Sequence, residues 1–187
     1  MSVLTPAWLL PTARTVPWRP LIGVAGVLAV VAALSAYADQ WPVALVGIGA
    51  AALAAAVVAG LSDPAAALLS AVPTSAARRQ ARRLVLLLPL GLGVWLAFAA
   101  LGRVVEPGTT WSVGELCALT ATGLAVAVWW PGRAAVGAGV ATPLLWYAAA
   151  RFGGLEGDGA DMLLAWQHHP WIVIAVATTA VLWRRER

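Results

Sequence analysis

Few side chains in this chain of 187 residues have the types and spacing that acid, base or metal chemistry requires. His168 and His169 are adjacent, so on a helix they point about 100° apart and do not face one metal ion together. Glu156, Asp158 and Asp161 alternate with glycines, a pattern typical of a solvated loop, although a cation site there stays open. These residues form no convincing acid–base pair or metal motif.

The lack of lysine and the presence of only one cysteine exclude further kinds of site. All twelve basic residues are arginine, which excludes a P-loop lysine and a Schiff base. Cys117 has no partner for an intrachain disulfide and is interpreted as a small packing residue. We therefore expect a non-enzymatic chain without its own catalytic, cofactor or metal site.

The composition is that of a membrane protein. Hydrophobic residues make up 61% of the chain, charged residues only 11%, and the mean hydropathy is +0.85, whereas soluble domains carry about 25% charge. Six apolar runs approach the roughly 20 residues that a membrane-crossing helix needs. They cover residues 21–38, 41–61, 84–101, 112–130, 134–152 and 170–183.

The arginines predict how these runs are oriented. If the spans alternate and the N-terminus is cytoplasmic, ten arginines lie on the cytoplasmic side and only Arg103 and Arg151 on the other. The sequence thus predicts an all-α, multi-pass protein of the cell membrane, one transmembrane domain over 1–187, with both termini cytoplasmic. The first run is longer than a signal-peptide core of about 7 to 15 residues, so we expect it to be retained. Outside the spans lie an interfacial segment (1–20), a connection (62–83), an outer loop or short helix (153–169) and a tail (184–187).

Tryptophan positions agree with this layout. Nine of the eleven fall at or near span ends, where an amphipathic ring suits the headgroup level. They are Trp8, Trp18, Trp41, Trp111, Trp129, Trp130, Trp166, Trp171 and Trp183. Trp95 and Trp146 lie deeper, as packing or cavity-lining residues, and packing is favoured.

The connection between the second and third spans carries the densest charge. A short helix is predicted over 64–72, and a second helix then continues into the third span. Arg78 and Arg82, like Arg79 and Arg83, are one i,i+4 step apart, which predicts all four on one side facing water or anionic headgroups. By themselves they indicate a cytoplasmic membrane anchor.

The order of residues in this connection resembles the coupling-helix region of membrane subunits of ABC-2 type (type V) ABC exporters. The resemblance lies in Asp63, Leu68, Leu69, Ser70, Pro73, Thr74, Ser75, Arg78 and Arg79. It implies that Asp63, Leu68, Leu69, Val72, Pro73, Thr74 and Ser75 dock onto an ABC ATPase on a separate chain, which holds ATP and Mg. It also implies a dimer with itself or with a second membrane subunit. An interfacial N-terminal segment and a short helix near 161–166 fit the same layout.

No Asp, Glu, Arg or His lies near the middle of any span, although proton-driven transporters usually need such residues as relays. Transport energy would then have to come from elsewhere, and since the chain has no Walker lysine, the resemblance implies a partner ATPase. The expected function is export of an amphipathic lipid, a peptide or a small hydrophobic compound. The alternative is a non-transporting membrane anchor or assembly subunit of a larger complex, and a membrane-embedded enzyme ranks last.

Overall fold

The structure is a computed structural model that describes residues 8–38, 40–41, 44–62, 76–105, 113–130, 132–153 and 158–185. Every regular element within those ranges is helical, which confirms the all-α prediction. The α-helices are α1 (Leu9–Thr15), α2 (Arg19–Tyr37), α3 (Ala44–Gly60), α4 (Ala76–Val105), α5 (Val113–Trp129), α6 (Ala135–Phe152), α7 (Asp158–Leu163), α8 (Ala165–His168) and α9 (Pro170–Arg185). A 3-10 turn over Gly132–Ala134 precedes α6.

Each predicted apolar run forms a helix, and α2, α3, α5, α6 and α9 begin and end within three residues of the expected limits. Helix α4 is longer because it starts at Ala76, where the second helix of the connection was expected. By length and composition, Arg19–Tyr37 and Arg78–Gly102 are long and apolar enough to cross a membrane. The apolar helices Ala44–Gly60, Val113–Trp129 and Pro170–Arg184 are shorter.

Helix α3 lies at the centre of the bundle and packs against α2, α4, α5 and α6. Alanine and glycine make up most of its sequence, so its backbone lies close to its neighbours. Ala50, Ala51, Leu53, Ala54 and Val57 are completely buried there. Alanine also has the highest intrinsic helix propensity, so local preference and packing agree.

A close backbone approach joins α5 to α6 through Gly123 and Gly139. A Cβ added at Gly123 would lie 2.7 Å from the Gly139 carbonyl oxygen, and one added at Gly139 would lie 2.6 Å from the Gly123 carbonyl oxygen. Such distances leave no room for any side chain. The crossing therefore depends on glycine at both positions.

The helices alternate in direction. Residues from the end of α3, the start of α4, the end of α5, the start of α6 and the end of α9 line one common cavity: Leu61, Gln80, Val128, Ala135 and Arg184. We call this the arginine end. The start of α3 and the end of α6 meet α8 at the opposite end, where Ala44, Ala150 and Trp166 line a second cavity.

Large apolar side chains cover the outer faces of the bundle. Ile22, Val30 and Leu34 on α2 and Ile172 and Val176 on α9 are all more than half exposed. Soluble monomers rarely expose apolar surface on this scale, whereas a lipid-facing helix requires it. The outer surface therefore suits a bilayer.

The tryptophans only partly follow the interfacial prediction. Trp95 is fully buried as a packing residue, as expected, and the Nε1–H of half-buried Trp146 donates to the Leu163 carbonyl at 2.9 Å. The headgroup prediction is wrong for Trp41 and Trp166, which are 5% and 0% exposed. Trp41 packs against the Phe98 ring, with centroids 4.9 Å apart, because α4 continues alongside the residues that precede α3.

Candidate functional site

Positive charge is concentrated at the arginine end. The described segments that meet there carry Arg14, Arg19, Arg78, Arg79, Arg82, Arg83, Arg133, Arg184 and Arg185. The described residues of that end include no acidic side chain, so the arginines together create a positive potential over it. Arg103 and Arg151 lie on the segments of the opposite end. The bundle is thus strongly asymmetric in charge along its axis.

Three of the four arginines at the start of α4 lie toward the surface. Arg78 is exposed, and Arg79 and Arg82 are half-buried. The Arg82 guanidinium lies 5.6 Å from the centroid of the Trp8 ring, within range of a cation–π interaction. This contact attaches the segment before α1 to α4, which sequence reasoning did not anticipate.

Arg83 does not share the exposed side, so the one-sided prediction is wrong for this residue. Its side chain is only 5% exposed, and its Nη1–H donates to the Ser62 carbonyl at 2.5 Å. The cause is the buried stripe of α4, which continues from Arg83 at four-residue steps through Leu87, Gly91 and Trp95. This four-residue spacing is visible in the sequence and could have distinguished Arg83 from the other three arginines.

The Ser62 carbonyl is a favourable partner for this cation. Ser62 follows the last turn of α3, where the Leu61 and Ser62 amides bond back to the Val58 and Ala59 carbonyls, each at 3.1 Å. Carbonyls at a helix C-terminus lack further helical partners and carry the negative end of the helix dipole. A buried guanidinium therefore stabilises the end of α3 and ties it to α4.

We call this hydrogen bond the Arg83–Ser62 joint. It links Ser62, the first residue of the connection, to Arg83, its last residue. The predicted docking residues Asp63, Leu68, Leu69, Val72, Pro73, Thr74 and Ser75 lie outside the described residues. The residue that precedes them and the first turns of α4 that follow them are held together by the joint. The connection thus leaves and re-enters the bundle at one place on the arginine end.

A second cluster at the arginine end was also missed from sequence. The Trp129 Nε1–H donates to the Ala180 carbonyl at 3.0 Å, which attaches the end of α5 to α9. The Arg184 guanidinium lies 5.5 Å from the Trp129 ring centroid, and the Trp183 ring meets Trp129 edge-on at 6.2 Å. Arg184 is therefore held over the end of α5, at the rim of the arginine-end cavity.

The opposite end carries fewer charges and a smaller cavity of about 350 Å³. The Tyr147 hydroxyl donates to the Ala44 carbonyl at 3.1 Å, and the Tyr147 ring packs edge-on against Trp166. His168 and His169 are exposed beside this cavity. Among the described residues, no three His, Cys, Asp or Glu side chains converge as a metal site would require.

Comparison with family models, with curated proteins and with solved structures gives no significant match to this chain. Its function is therefore argued from its own residues.

Proposed function

We propose that this chain is the membrane-spanning subunit of an ATP-driven exporter of the ABC-2 type, working with an ABC ATPase on a separate chain. α2, α3, α4, α5, α6 and α9 cross the membrane, and the subunit pairs with a copy of itself or with a second membrane subunit. Support for membrane crossing comes from two helices of sufficient length and from the exposed apolar faces.

The orientation follows from the charge asymmetry of the bundle. Arginine-rich segments remain on the cytoplasmic side of a membrane, so the arginine end faces the cytoplasm. Segments 8–18 and the end of α9 both lie at that end. Both termini are then cytoplasmic, and the connection faces the compartment that holds ATP.

The observation that carries the proposal is the Arg83–Ser62 joint. A rigid partner bound to the connection applies force to the end of α3 and the start of α4 together, because the joint links them. Helix α3 is in turn packed against α2, α5 and α6, so its displacement reaches most of the bundle. Closure of the docked ATPase would in this way change the shape of the path for an amphipathic lipid, peptide or small hydrophobic compound.

One observation favours the second candidate, a non-transporting anchor or assembly subunit. The centre of the bundle around α3 is filled by completely buried side chains, which suits a static scaffold as well as a moving one. The two candidates differ in one requirement. Only the exporter subunit needs an ATPase bound at the connection.

The test is affinity purification of the tagged full chain from its native membrane in mild detergent. The wild-type chain should retain a nucleotide-binding protein, and Leu68→Asp with Leu69→Asp should release it while membrane insertion is unchanged. Leu10→Asp is the matched control, because Leu10 is an exposed leucine on α1 at the same end and should leave the ATPase bound. Neutralising Arg78, Arg79 and Arg82 should mainly disturb orientation, whereas neutralising Arg83 should also break the joint. A wild-type complex without any nucleotide-binding protein would contradict the exporter proposal and favour the anchor.

A further inference from the structure

The cavity at the arginine end has a volume of about 570 Å³, within the range of ligand pockets. Small side chains create this space, because alanines project into it from α4, α5, α6 and α9. They are Ala81, Ala121, Ala127, Ala135 and Ala177. Four of the lining residues are exposed, so the cavity is an open cleft that a ligand can enter.

The walls of the cavity suit a hydrocarbon chain. Val58, Leu84, Leu124 and Val136 also line it, and the described lining residues include no acid. On α9 the lining extends from Ala177 to Arg184, which at 1.5 Å per residue gives a depth of about 10 Å along the helix axes. Water gains few hydrogen bonds in such a space.

The rim of the cavity is polar and cationic, unlike the apolar interior. Arg184 lies there with its guanidinium 5.5 Å from the Trp129 ring centroid, and Gln80 of α4 also lines the cavity. A cation–π contact leaves the N–H donors of a guanidinium available, and their planar arrangement matches the oxygens of a carboxylate or phosphate. An apolar interior under a cationic rim matches an amphiphile with an acidic head.

Both α4 and α9 line the cavity, and among the described residues no Cα of one helix lies within 8 Å of a Cα of the other. The space between these two helices would admit a chain from the lipid side, with its head group level with Arg184. No passage through the packed centre around α3 is needed.

We propose that this cavity binds the acyl chain of an anionic amphiphile, with the acidic head group held by Arg184. The shared chemistry is an acyl chain with a carboxylate or phosphate, supplied as a free fatty acid or as a membrane phospholipid. The site belongs to this subunit alone and operates without the ATPase. It therefore goes beyond the proposed export function and is tested separately from it.

The experiment is a binding titration by native mass spectrometry on the purified full chain in non-ionic detergent. The probes are oleate, its neutral counterpart oleyl alcohol, phosphatidylglycerol and its zwitterionic counterpart phosphatidylcholine. Arg184→Gln should weaken binding of an acidic probe about tenfold, as expected for loss of a charge-assisted contact, and leave oleyl alcohol unchanged. Arg19→Gln, an exposed arginine outside the lining, is the control.

The apolar part of the site is tested with a matched pair on α9. Ala177→Leu fills the cavity and should reduce binding of every probe, whereas Ala175→Leu, on the exposed side of the same helix, should not. Ala121→Leu repeats the test from α5 if the first variant does not fold. Binding of oleate alone, or of phosphatidylglycerol alone, supports the proposal and identifies the source. Equal affinities across the matched variants would overturn it, and so would a wild-type chain that binds neither acidic probe, since another segment or a second copy would then fill the space.

Discussion

Replacement of Arg83 by methionine tests the joint directly. The side chain is 5% exposed and donates to the Ser62 carbonyl at 2.5 Å. Loss of a hydrogen bond to a charged group costs about 1.5 to 3 kcal/mol. Methionine fills a similar volume and removes a buried charge, which recovers part of that cost. Since Ser62 is half-buried, water can also reach its carbonyl. We expect a net loss of about 1 to 2 kcal/mol in the free energy of unfolding.

The assay is unfolding of the full chain in mixed micelles by increasing SDS, followed by tryptophan fluorescence. Arg19→Met is the control, because Arg19 is an exposed arginine at the same end of the bundle, and its change should stay within about 0.5 kcal/mol. Arg83→Lys keeps the cation and should restore part of the stability. If Arg83→Met and Arg19→Met lose the same small amount, the joint does not hold α3 to α4, and the mechanical argument for the connection fails.

Two further changes probe the packing that surrounds the site. Gly139→Ala should lower the free energy of unfolding by about 1 to 3 kcal/mol, because the new methyl group meets the Gly123 carbonyl and Ala127; the same SDS titration on Gly137→Ala, which meets no atom within 4 Å, should show no loss. Equal effects at both glycines would mean that α5 and α6 are farther apart than described. Tyr147→Phe should cost about 0.5 to 1.5 kcal/mol through loss of its bond to the Ala44 carbonyl, whereas Tyr37→Phe, at a side chain 92% exposed, should be silent. If Tyr147→Phe leaves the free energy of unfolding unchanged, the bond to the Ala44 carbonyl does not stabilise the opposite end.

The helices were predictable from the sequence because each apolar run is long and ends at charges, prolines or glycines. The continuation of α4 back to Ala76 was also predicted, from the arginines and alanines that precede the third span. Both predictions depend only on local composition and helical spacing. Local patterns of this kind predict helices correctly where no other kind of element competes for the same residues.

The features that could not be predicted from the sequence depend on which helices are neighbours in the fold. The burial of Arg83 follows from the neighbouring end of α3, and the burial of Trp41 follows from Phe98 on α4. The cavity beside Arg184 exists because α4 and α9 are kept apart while α5 packs against α9. One-dimensional spacing contains no such neighbour relations.

Helix α4 extends over 30 residues, from Ala76 to Val105. At 1.5 Å per residue it is about 45 Å long, about 15 Å more than a hydrocarbon core of about 30 Å requires. In the proposed orientation, the turns that carry Arg78, Arg79 and Arg82 would therefore stand clear of the lipid as a stalk. Pro89 removes a helical hydrogen bond partway along α4, so a sideways push on the stalk would bend the helix within the bilayer.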